Sequence, residues 1–378
     1  MHARLADAPA RPSPPHSRAR SQGGRRVSLR PELTPSLARI ALSKGKALSL
    51  PAKWYAIGQC WRYERTTRGR RREHYQWNMD IIGVPGVSAE AELLSAIATL
   101  FERLGLSSAD VGIKVSSRKL LQGVAAKYEV PDELFAPVCV VVDKLDKIGA
   151  EKVEAELAEL GVGADAARGI LNALGMSSID ELAAELGEEA EAVVELREIW
   201  SLCEGYGIAD WLVFDASVVR GLAYYTGAVF EAFDRKGELR AICGGGRYDT
   251  LLQTMSGGKA GVGQPMVGFG FGDAVIMELL ADRNLLPEPA ATADDVVAIM
   301  DETLRPQALD AARRLRAAGR KVDVVLEPKK FKWIIRHAER SGAERLVLVG
   351  SQEWQKGCVR VKDLAKREEQ DVPLDELV

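Results

Sequence analysis

Residues 54–83 read WYAIGQCWRYERTTRGRRREHYQWNMDIIG, in which two strand-forming runs flank a cluster of arginines. Two runs rich in aromatic and aliphatic residues, 54–64 and 74–83, lie on either side of a basic loop that contains Gly69. Strand-forming runs that flank a polar, glycine-containing loop predict two antiparallel strands. The sequence therefore predicts a strand–loop–strand unit within an antiparallel sheet.

The side chains of this unit predict one polar face and one apolar face. Because successive strand residues point to opposite faces, Arg62 and Glu64 share one side of the first strand. On the second strand the polar set is His74, Gln76, Asn78 and Asp80, and the apolar set is Tyr75, Trp77, Met79 and Ile81. Guanidinium groups suit phosphate and carboxylates suit amines, so the polar face suits a ligand that carries both groups. An ordinary solvent-exposed face and, for the loop arginines, a plain nucleic-acid patch remain alternatives.

The bulk composition is that of an ordinary soluble protein with two or three domains. The 378 residues carry a net charge of −3, with 28% charged and 47% hydrophobic residues. Arginines crowd the segments 18–30 and 62–72, whereas the acidic excess lies around 150–197. A polyanion could therefore be held locally by a mildly acidic molecule.

The residue pattern also bears on metal binding and on the cellular compartment. The five cysteines and four histidines are dispersed, which argues against a structural zinc site and fits a reducing compartment. No apolar stretch approaches the roughly 18–20 residues that a membrane span needs. Residues 1–22 are rich in Ala, Arg, Pro and Ser, with Asp7 as the single acid. This composition is typical of an organellar transit peptide and equally of a disordered tail, and both interpretations stay open.

Local signals predict the elements of the first domain. Thr34 is predicted to cap a helix that starts at Pro35, and Ser88 to cap a helix that runs to about Leu104. Residues from about 144 to 205 are rich in Ala, Glu and Leu at helical spacing, which predicts a helical insertion. Further strands are predicted at 211–215, 224–234, 238–243 and 266–272, with helices after the glycine-rich passage 243–247 and from Asp273.

A proline-containing linker predicts where the second domain begins. The run 286–290, Leu-Pro-Glu-Pro-Ala, indicates a boundary. Beyond it, strands (295–300, 321–326, 345–349) alternate with helices (303–318, 330–341), which predicts a small, largely parallel sheet covered by helices. The chain is therefore predicted to be α+β, with these parts: a tail (1–22), an antiparallel body (23–286) with its insertion, a linker (287–293) and an α/β domain (294–378).

Two common nucleotide-binding signatures do not fit the sequence. The chain contains no GxxxxGK[ST] segment, which excludes a P-loop. The run 268–272, Gly-Phe-Gly-Phe-Gly, superficially matches a dinucleotide-binding loop but lacks the Rossmann spacing. Close backbone packing at a strand-to-helix junction is the better interpretation of these glycines.

Four segments together resemble one family, the histidyl-tRNA synthetases, which are class II aminoacyl-tRNA synthetases. Residues 61–76, WRYERTTRGRRREHYQ, resemble the class II motif 2, and residues 29–34, LRPELT, resemble the LRPExT segment of the family. Residues 220–227, RGLAYYTG, and 243–249, CGGGRYD, resemble the two histidine-specific signatures. The resemblance extends from about residue 23 to residue 378 and implies a class II synthetase antiparallel sheet with helices, a helical insertion and a C-terminal α/β anticodon-binding domain.

The resemblance also implies ligands and residue roles. ATP, histidine and tRNA(His) would bind, with Mg²⁺ as a cofactor and no particular side chain singled out as its ligand. Arg62 would bind the α-phosphate of ATP, Glu64 the adenine amine and Arg70 the outer phosphates. Arg220 and Arg62 would be the catalytic residues, because they would neutralise charge at the α-phosphate. The implied histidine-binding set is Glu32, Thr34, Gln76, Asp80, Arg220, Tyr224, Tyr225, Gly244 and Gly245, and the loosely placed tRNA contacts are Lys329, Lys330, Lys332 and Arg336.

The implied reaction is attack of the histidine carboxylate on ATP, followed by transfer of histidine to tRNA. The first step forms histidyl-adenylate and releases pyrophosphate. Because such a reaction needs little covalent help from the protein, positioning of the substrates and neutralisation of phosphate charge would supply most of the catalysis.

The sequence departs from the family pattern in ways that affect assembly and location. The motif 1 helix and strand, which form the dimer interface of the family, have no counterpart before Gly23, so we expect a shortened chain or one that does not dimerise normally. Val275 stands where motif 3 usually has an arginine, and Ala223 stands where the first histidine signature usually has an aspartate. Both features resemble a plant-organelle and cyanobacterial-like branch of the family. We therefore expect a chloroplast or mitochondrial location, with the cytoplasm as the alternative.

Two other functions explain part of the pattern. A non-catalytic synthetase-like module, either a regulatory subunit of histidine biosynthesis or a sensor of uncharged tRNA, would share much of the resemblance. A nucleic-acid-binding protein without catalysis would explain the basic loop. Arg62, Glu64, Gln76 and Arg220, together with both histidine signatures, favour the enzyme over either alternative.

Overall fold

The chain folds into two units, each with its own sheet. The computed structural model describes residues 18–20, 24, 26–218, 224–259, 261–287 and 291–377. Within this part the contacts divide the chain between Leu286 and Pro287. Most of the predicted tail and residues 288–290 of the predicted linker lie outside the described residues. None of the described helices combines the length and the apolar character that crossing a bilayer requires.

A seven-stranded sheet forms the centre of the first unit. Two short strands, β1 (Arg18–Arg20) and β2 (Arg26–Ser28), form a separate antiparallel pair. The main sheet contains β3 (Ala52–Trp61), β4 (Glu73–Ile82), β5 (Val111–Ser117), β6 (Leu212–Phe214), β7 (Ala228–Asp234), β8 (Cys243–Arg247) and β9 (Met266–Gly272). Across the sheet the order is β3-β4-β9-β8-β7-β5-β6. Every neighbouring pair is antiparallel except β5 with β6, which confirms the predicted antiparallel α+β body.

Helices pack against this sheet and extend beyond it. They are α1 (Thr34–Lys44), α2 (Ser88–Arg103), α3 (Arg118–Lys127), α4 (Asp132–Val142), α5 (Leu145–Ile148), α6 (Ala150–Glu159), α7 (Ala164–Leu174), α8 (Ile179–Leu186), α9 (Glu191–Gly205), α10 (Leu251–Met255) and α11 (Asp273–Asp282). The sheet face under α2 is aromatic. Trp77 meets Phe269 at a centroid distance of 4.9 Å, and Phe101 of α2 meets Phe271 at 5.7 Å. The apolar face of β4 therefore belongs to the main core, and its polar face is left for a site.

Several predicted boundaries in the first unit are wrong, and two of those that follow affect the site. β3 ends at Trp61, so Arg62 and Glu64 lie in the loop, where strand alternation does not apply. Thr34 is the first residue of α1 rather than its cap, and its side chain is buried. Ser88 likewise starts α2 without capping it. The run of helices that leads into the predicted insertion begins at Arg118, whereas the insertion was predicted to begin at about residue 144.

The strands near the histidine signatures differ from the prediction as well. β7 begins at Ala228, so Tyr224 and Tyr225 precede the strand instead of lying in it. The predicted strand 238–243 is wrong, because the glycine-rich passage itself forms strand β8, from Cys243 to Arg247. Glycine has little intrinsic preference for strands, so β8 could not be predicted from its own residues. It forms because the neighbouring strands pair with it.

The second unit is a mixed five-stranded sheet with helices. Its strands are β10 (Asp295–Ile299), β11 (Val322–Val324), β12 (Arg345–Val349), β13 (Cys358–Asp363) and β14 (Glu369–Pro373), in the order β11-β10-β12-β13-β14. Its helices are α12 (Arg305–Ala317), α13 (Phe331–Ser341) and α14 (Ser351–Trp354). The first three strands are parallel, as predicted. The antiparallel hairpin β13–β14 was not predicted and makes the sheet mixed.

The glycines of β8 and β9 allow the two strands to pack without side chains between them. A Cβ atom at Gly245 would lie 2.2 Å from the backbone oxygen of Gly268 and 2.8 Å from the ring of Phe230. Real Cβ atoms essentially never make contacts this short, so a larger residue would force the strands or the ring to move.

We expect Gly245→Ala to destabilise the first unit by about 1–3 kcal/mol, the usual cost of overpacking. The measurement is the free energy of unfolding in urea. Gly263→Ala is the matched control, because nothing but a backbone oxygen at 4.0 Å stands near its Cβ position. Equal stability of the two variants would contradict the close packing of β8 on β9.

Candidate active site

A cleft of about 620 Å³ lies over the polar face of the main sheet. It brings together nine of the residues predicted for the site, namely Glu32, Thr34, Arg62, Glu64, Arg70, Gln76, Tyr224, Tyr225 and Gly244. These residues come from the start of α1, the β3–β4 loop, β4, the segment before β7, and β8. Segments that are far apart in the chain therefore converge on one concave surface, the usual form of a small-molecule site.

Glycines in β9 make room for the polar side chains of β4. Gln76 pairs with Gly272 and Asn78 with Gly270 across the two strands. A Cβ atom at Gly270 would lie 2.8 Å from Nε2 of Gln76, so that amide occupies the space over the glycine. Nε2 of Gln76 donates a hydrogen bond of 2.8 Å to Oδ1 of Asn78. The alternation predicted for β4 is confirmed, and it fixes this amide pair at the floor of the cleft.

Asp80 lies below the floor of the cleft and acts on it through Tyr248. The hydroxyl of Tyr248 donates a hydrogen bond to Oδ1 of Asp80, and Tyr248 lines the cleft. Burial raises the pKa of Asp80 from 3.8 to about 7, although the hydrogen bond from Tyr248 lowers it. Burial, together with the nearby Asp80 carboxyl, also raises the pKa of Tyr248 well above its usual value. The tyrosine hydroxyl therefore stays protonated and is the donor of the pair.

A second tyrosine is paired with a carboxylate at the other side of the cleft. The hydroxyl of Tyr224 donates a hydrogen bond of 3.3 Å to Oε2 of Glu32. Burial is the main cause that raises the pKa of Tyr224, and Tyr225 and Glu32 add to it, while a hydrogen bond with Thr34 lowers it. The ring of Tyr224 meets those of Tyr225 at 5.2 Å and Tyr248 at 5.7 Å. The three rings and the Glu32 carboxylate form a compact wall that suits a small cationic amine.

The arginine-rich loop between β3 and β4 is held in place by a few defined contacts. Nε of Arg62 donates a hydrogen bond of 3.0 Å to the backbone oxygen of Pro31, which places it beside Glu32. Arg68 binds α11 through Glu278 at 3.2 Å and Asp282 at 2.5 Å. Arg68 is therefore structural, whereas Arg62 remains at the cleft.

Arg70 and Gly69 form the tip of this loop. The guanidinium of Arg70 contacts the carboxylate of Glu64. Burial lowers the pKa of Arg70, and the positive charges of Arg240 and Arg62 lower it further. Gly69 has a φ of +68°, which favours glycine, and its Cβ position lies 3.2 Å from Cγ2 of Val275. Val275, at the position that the resemblance gives to the motif 3 arginine, thus lines the cleft beside the loop.

Comparison with known proteins identifies the family. Residues 16–271 match the family Histidyl-tRNA synthetase, and residues 294–378 match the Anticodon binding domain. The chain is 55% identical over 356 residues to the chloroplastic/mitochondrial histidine–tRNA ligase of Arabidopsis thaliana, covering 94% of this chain and 72% of that relative. The chain belongs to the histidyl-tRNA synthetase family.

Two further relatives agree with this assignment. The histidine–tRNA ligase of Opitutus terrae is 36% identical over 362 residues, which cover 94% of this chain and 82% of that relative. The crystal structure of histidyl-tRNA synthetase from Nostoc sp. PCC 7120 superposes with a TM-score of 0.72 at 25% identity, covering 93% of this chain and 82% of that one. The resemblance seen in the motifs is confirmed. The predicted function, that of an ATP-dependent aminoacyl-tRNA ligase acting on histidine and tRNA, is confirmed with it. The two non-catalytic alternatives are set aside.

Three predicted site residues need separate comment. Arg220 lies outside the described residues, which omit 219–223. Gly245 lies beside the cleft-lining Gly244, and its Cβ position faces Phe230 and Phe269; its contact with histidine stays a prediction. Asp80 was predicted to line the histidine pocket, but it lies one layer below Tyr248.

Other residues that line the cleft were not assigned a role from the sequence. Tyr248 lies within the second histidine signature, so its place in that motif was the available signal. His74 and Asn78 line the cleft on the face predicted for them, and burial lowers the pKa of His74. Arg240 also lines the cleft, and no motif contains it.

A buried ion pair fixes the second histidine signature from below. Nε and one terminal nitrogen of Arg247 each lie 2.6 Å from a carboxylate oxygen of Glu90. The side chains of Arg247 and Glu90 are only 4% and 0% exposed. Arg247 also donates hydrogen bonds to the backbone oxygens of Val84 and Gly86. This two-pronged contact ties β8 to the start of α2 and so fixes the adjacent Tyr248.

The predicted tRNA contacts lie around an exposed aromatic stack in the second unit. Trp333 and His337 of α13 stack with centroids 4.8 Å apart, and Nζ of Lys329 lies 5.6 Å from the Trp333 ring. Lys330 and Lys332 flank the start of the helix, and Arg336 is exposed one turn further along. Cations around an exposed ring are typical of surfaces that bind single-stranded RNA.

We expect the contribution of Asp80 to the stability of the folded chain to fall as the pH rises from about 4 to about 7. The folded chain holds this proton more tightly than the unfolded chain, since the pKa of Asp80 is about 7 rather than 3.8. Asp80→Asn removes this titration. The free energy of unfolding of the variant should therefore rise relative to that of the wild type, by an amount on the order of a few kcal/mol between pH 4 and pH 7. Urea unfolding at several pH values measures the difference.

Asp165→Asn serves as the control for this pH dependence, because the Asp165 side chain is 91% exposed. Its unfolding curve should run parallel to that of the wild type. If Asp80→Asn also ran parallel to the wild type between pH 4 and 7, the buried carboxyl would not hold its proton as described.

Proposed function

We propose that this cleft binds ATP and histidine side by side and joins them as histidyl-adenylate, the intermediate from which histidine passes to tRNA. The observation that carries the proposal is the division of the cleft. Arg62 and Arg70 offer guanidinium groups for phosphates, whereas Glu32 and the tyrosine rings offer a wall for an amine. Both halves open into the same space, as a reaction between two substrates requires.

The ATP half of the site is formed by the β3–β4 loop. We assign Arg62 to the α-phosphate, Arg70 to the outer phosphates and Glu64 to the adenine amine. Arg62 is held by the backbone oxygen of Pro31, so its position beside Glu32 suits contact with the phosphate that histidine attacks. Arg220 is assigned to the same α-phosphate and to histidine, and it is the second catalytic residue of the proposal.

The histidine half of the site is formed by α1, β4 and the histidine signatures. Glu32, Thr34 and Tyr224 would hold the α-amino group, because a carboxylate and two hydroxyls can accept its three hydrogen bonds. Gln76, Tyr225 and Gly244 would surround the remainder of the amino acid. Asp80 would act on the imidazole end through the hydroxyl of Tyr248.

The first chemical step follows from this arrangement. A carboxylate oxygen of histidine attacks the α-phosphorus, and the bond to the bridging oxygen of pyrophosphate breaks. Arg62 and Arg220 neutralise the charge on the α-phosphate oxygens as the new bond forms, which is electrostatic stabilisation by pre-positioned groups. In the second step a terminal hydroxyl of tRNA attacks the carbonyl of histidyl-adenylate and AMP leaves.

Mg²⁺ is proposed to enter with the nucleotide. The described residues contain no group of three or more His, Cys, Asp or Glu side chains that could hold a metal ion. An ion carried by phosphates and water needs no such group, so this arrangement fits a nucleotide-borne Mg²⁺. When bound, Mg²⁺ would share the neutralisation of the phosphate charge with the arginines.

A homodimer is proposed on the basis of the family and of an exposed sheet edge. β3 has a strand neighbour on only one side within the described residues. Tyr55 and Ile57 on this strand are 74% and 68% exposed. An edge strand with exposed apolar side chains is typical of a surface that pairs with another chain.

An organellar location is proposed from two observations. One relative, at 55% identity, is named as chloroplastic/mitochondrial. Residues 1–22 have the Arg-, Ser- and Ala-rich composition of a transit peptide. A chloroplast or mitochondrion is therefore favoured over the cytoplasm.

The test of the proposal is histidine-dependent exchange of pyrophosphate into ATP by the purified chain. We expect Arg220→Ala to lower the exchange rate about a hundredfold or more, because it removes charge neutralisation at the α-phosphate. Histidine binding, measured by calorimetry, should remain detectable. Arg168→Ala is the control, since Arg168 is exposed on α7, outside the cleft lining.

Two outcomes would contradict these assignments. Absence of exchange in the wild-type chain would overturn the proposed activity of this cleft. Full activity of Arg220→Ala beside an active wild type would overturn only the role given to Arg220.

The tRNA assignment predicts a salt effect. We expect the double variant Lys332→Gln and Arg336→Gln to bind tRNA more weakly, and the logarithm of its affinity to depend less steeply on salt, by roughly 0.7–0.9 for each phosphate that is no longer neutralised. Pyrophosphate exchange should be unchanged, because that step does not need tRNA. Lys366→Gln, exposed elsewhere in the same unit, is the control. An unchanged salt slope in the double variant would show that these cations do not contact tRNA phosphates.

A further inference from the structure

Among the residues that the structure describes, Arg240 is an arginine of the cleft that has no carboxylate partner. It lies in the loop that joins β7 to β8 and lines the cleft. Within the described parts of the chain it makes no hydrogen bond and no ion pair. Arg235, in the same loop, instead donates hydrogen bonds to the backbone oxygens of Ser108 and Asp210. Arg235 is thus used for packing, whereas Arg240 remains available to a ligand.

The sheet register places Arg240 and Arg70 around one point. Phe271, near the end of β9, pairs with Cys243 at the start of β8, and Gly272 pairs with Gln76 near the start of β4. The loops that lead into β8 and β4, which carry Arg240 and Arg70, therefore flank the end of β9 on its two sides. A ligand between these loops would be held from both directions.

The third contribution at this point is the start of α11. The helix begins directly after β9, and Gly272 provides no side-chain cap for its free N–H groups. Gly272, Ala274 and Val275 line the cleft, so the first turn faces it. The N-terminus of a helix carries a partial positive charge that favours anions, although Asp273 in the first turn offsets part of it here.

The arrangement has an electrostatic cost in the absence of a ligand. The positive charges of Arg240 and Arg62 both contribute to the lowered pKa of Arg70, after the larger effect of burial. Guanidinium groups that repel one another at one point are stabilised when an anion with several negative charges lies between them. A chain of phosphates is such an anion, and planar guanidinium groups bind it through paired hydrogen bonds.

We infer that Arg240 is a further ATP-binding residue, which holds the outer phosphates from the side opposite Arg70. The inference rests on the proposed function and adds a residue to its ATP half. When the histidine carboxylate forms its bond to the α-phosphorus, the electron pair of the broken bond passes to the bridging oxygen of pyrophosphate. Arg240 and Arg70 stabilise that charge and then hold the leaving pyrophosphate.

The test compares ATP with AMP, which has no outer phosphates. By calorimetry, Arg240→Gln should weaken ATP binding about tenfold, because it removes one charge-assisted contact, and should leave AMP binding unchanged. Arg240→Lys should recover part of the loss, since it retains the charge but not the fork. Lys236→Gln is the matched control; it removes one positive charge from the same loop, outside the cleft lining.

In the exchange assay the KM values for ATP and for pyrophosphate should both rise in Arg240→Gln, while the KM for histidine stays constant. Equal weakening of ATP and AMP, or an unchanged ATP affinity, would overturn the inference even if the wild type is active. A selective loss of tRNA affinity would overturn it as well. A wild-type chain that neither binds ATP nor catalyses exchange would contradict the proposed function and this inference together.

Discussion

The site depends on two neighbouring strands, β8 and β9, that present glycines where other strands present side chains. Gly268 and Gly270 face the polar residues of β4, and Gly245 faces the ring of Phe230 and the Cβ atom of Phe269. Because β9 adds no bulk to the floor, the side chain of Gln76 can lie across it and leave a cleft of about 620 Å³. The constraint is steric, and it holds whichever ligand occupies the space.

Buried polar pairs then fix the side chains around this floor. Arg247 and Glu90 are joined by two contacts of 2.6 Å in a place from which water is excluded. Loss of either partner would leave an uncompensated buried charge, so the pair holds β8 in a defined position. Tyr248 is the next residue in the chain, and its hydroxyl consequently reaches Asp80. Within the second histidine signature, Arg247 is therefore structural, whereas the next residue, Tyr248, lines the cleft.

Agreement between sequence and structure varies with the local signal. β9 and α11 begin where they were predicted to begin, and β4 lies within one residue of its prediction, because apolar alternation and the strand-to-helix junction are strong local patterns. β8 was missed, because consecutive glycines carry no strand preference and pair only when β7 and β9 are present. Arg240 was not singled out, since nothing in its neighbourhood distinguishes it from the other arginines of the chain.

The family, the α+β class and most of the residue types of the site follow from the motifs alone, because the motifs preserve the order of side chains that the chemistry needs. Which of those side chains meet depends on how the whole chain folds. Tyr224 binds Glu32 across 192 residues of chain, and Tyr248 binds Asp80 across 168. Contacts of this kind follow from the order and register of the strands. Packing of the whole sheet sets both, and no local pattern encodes them.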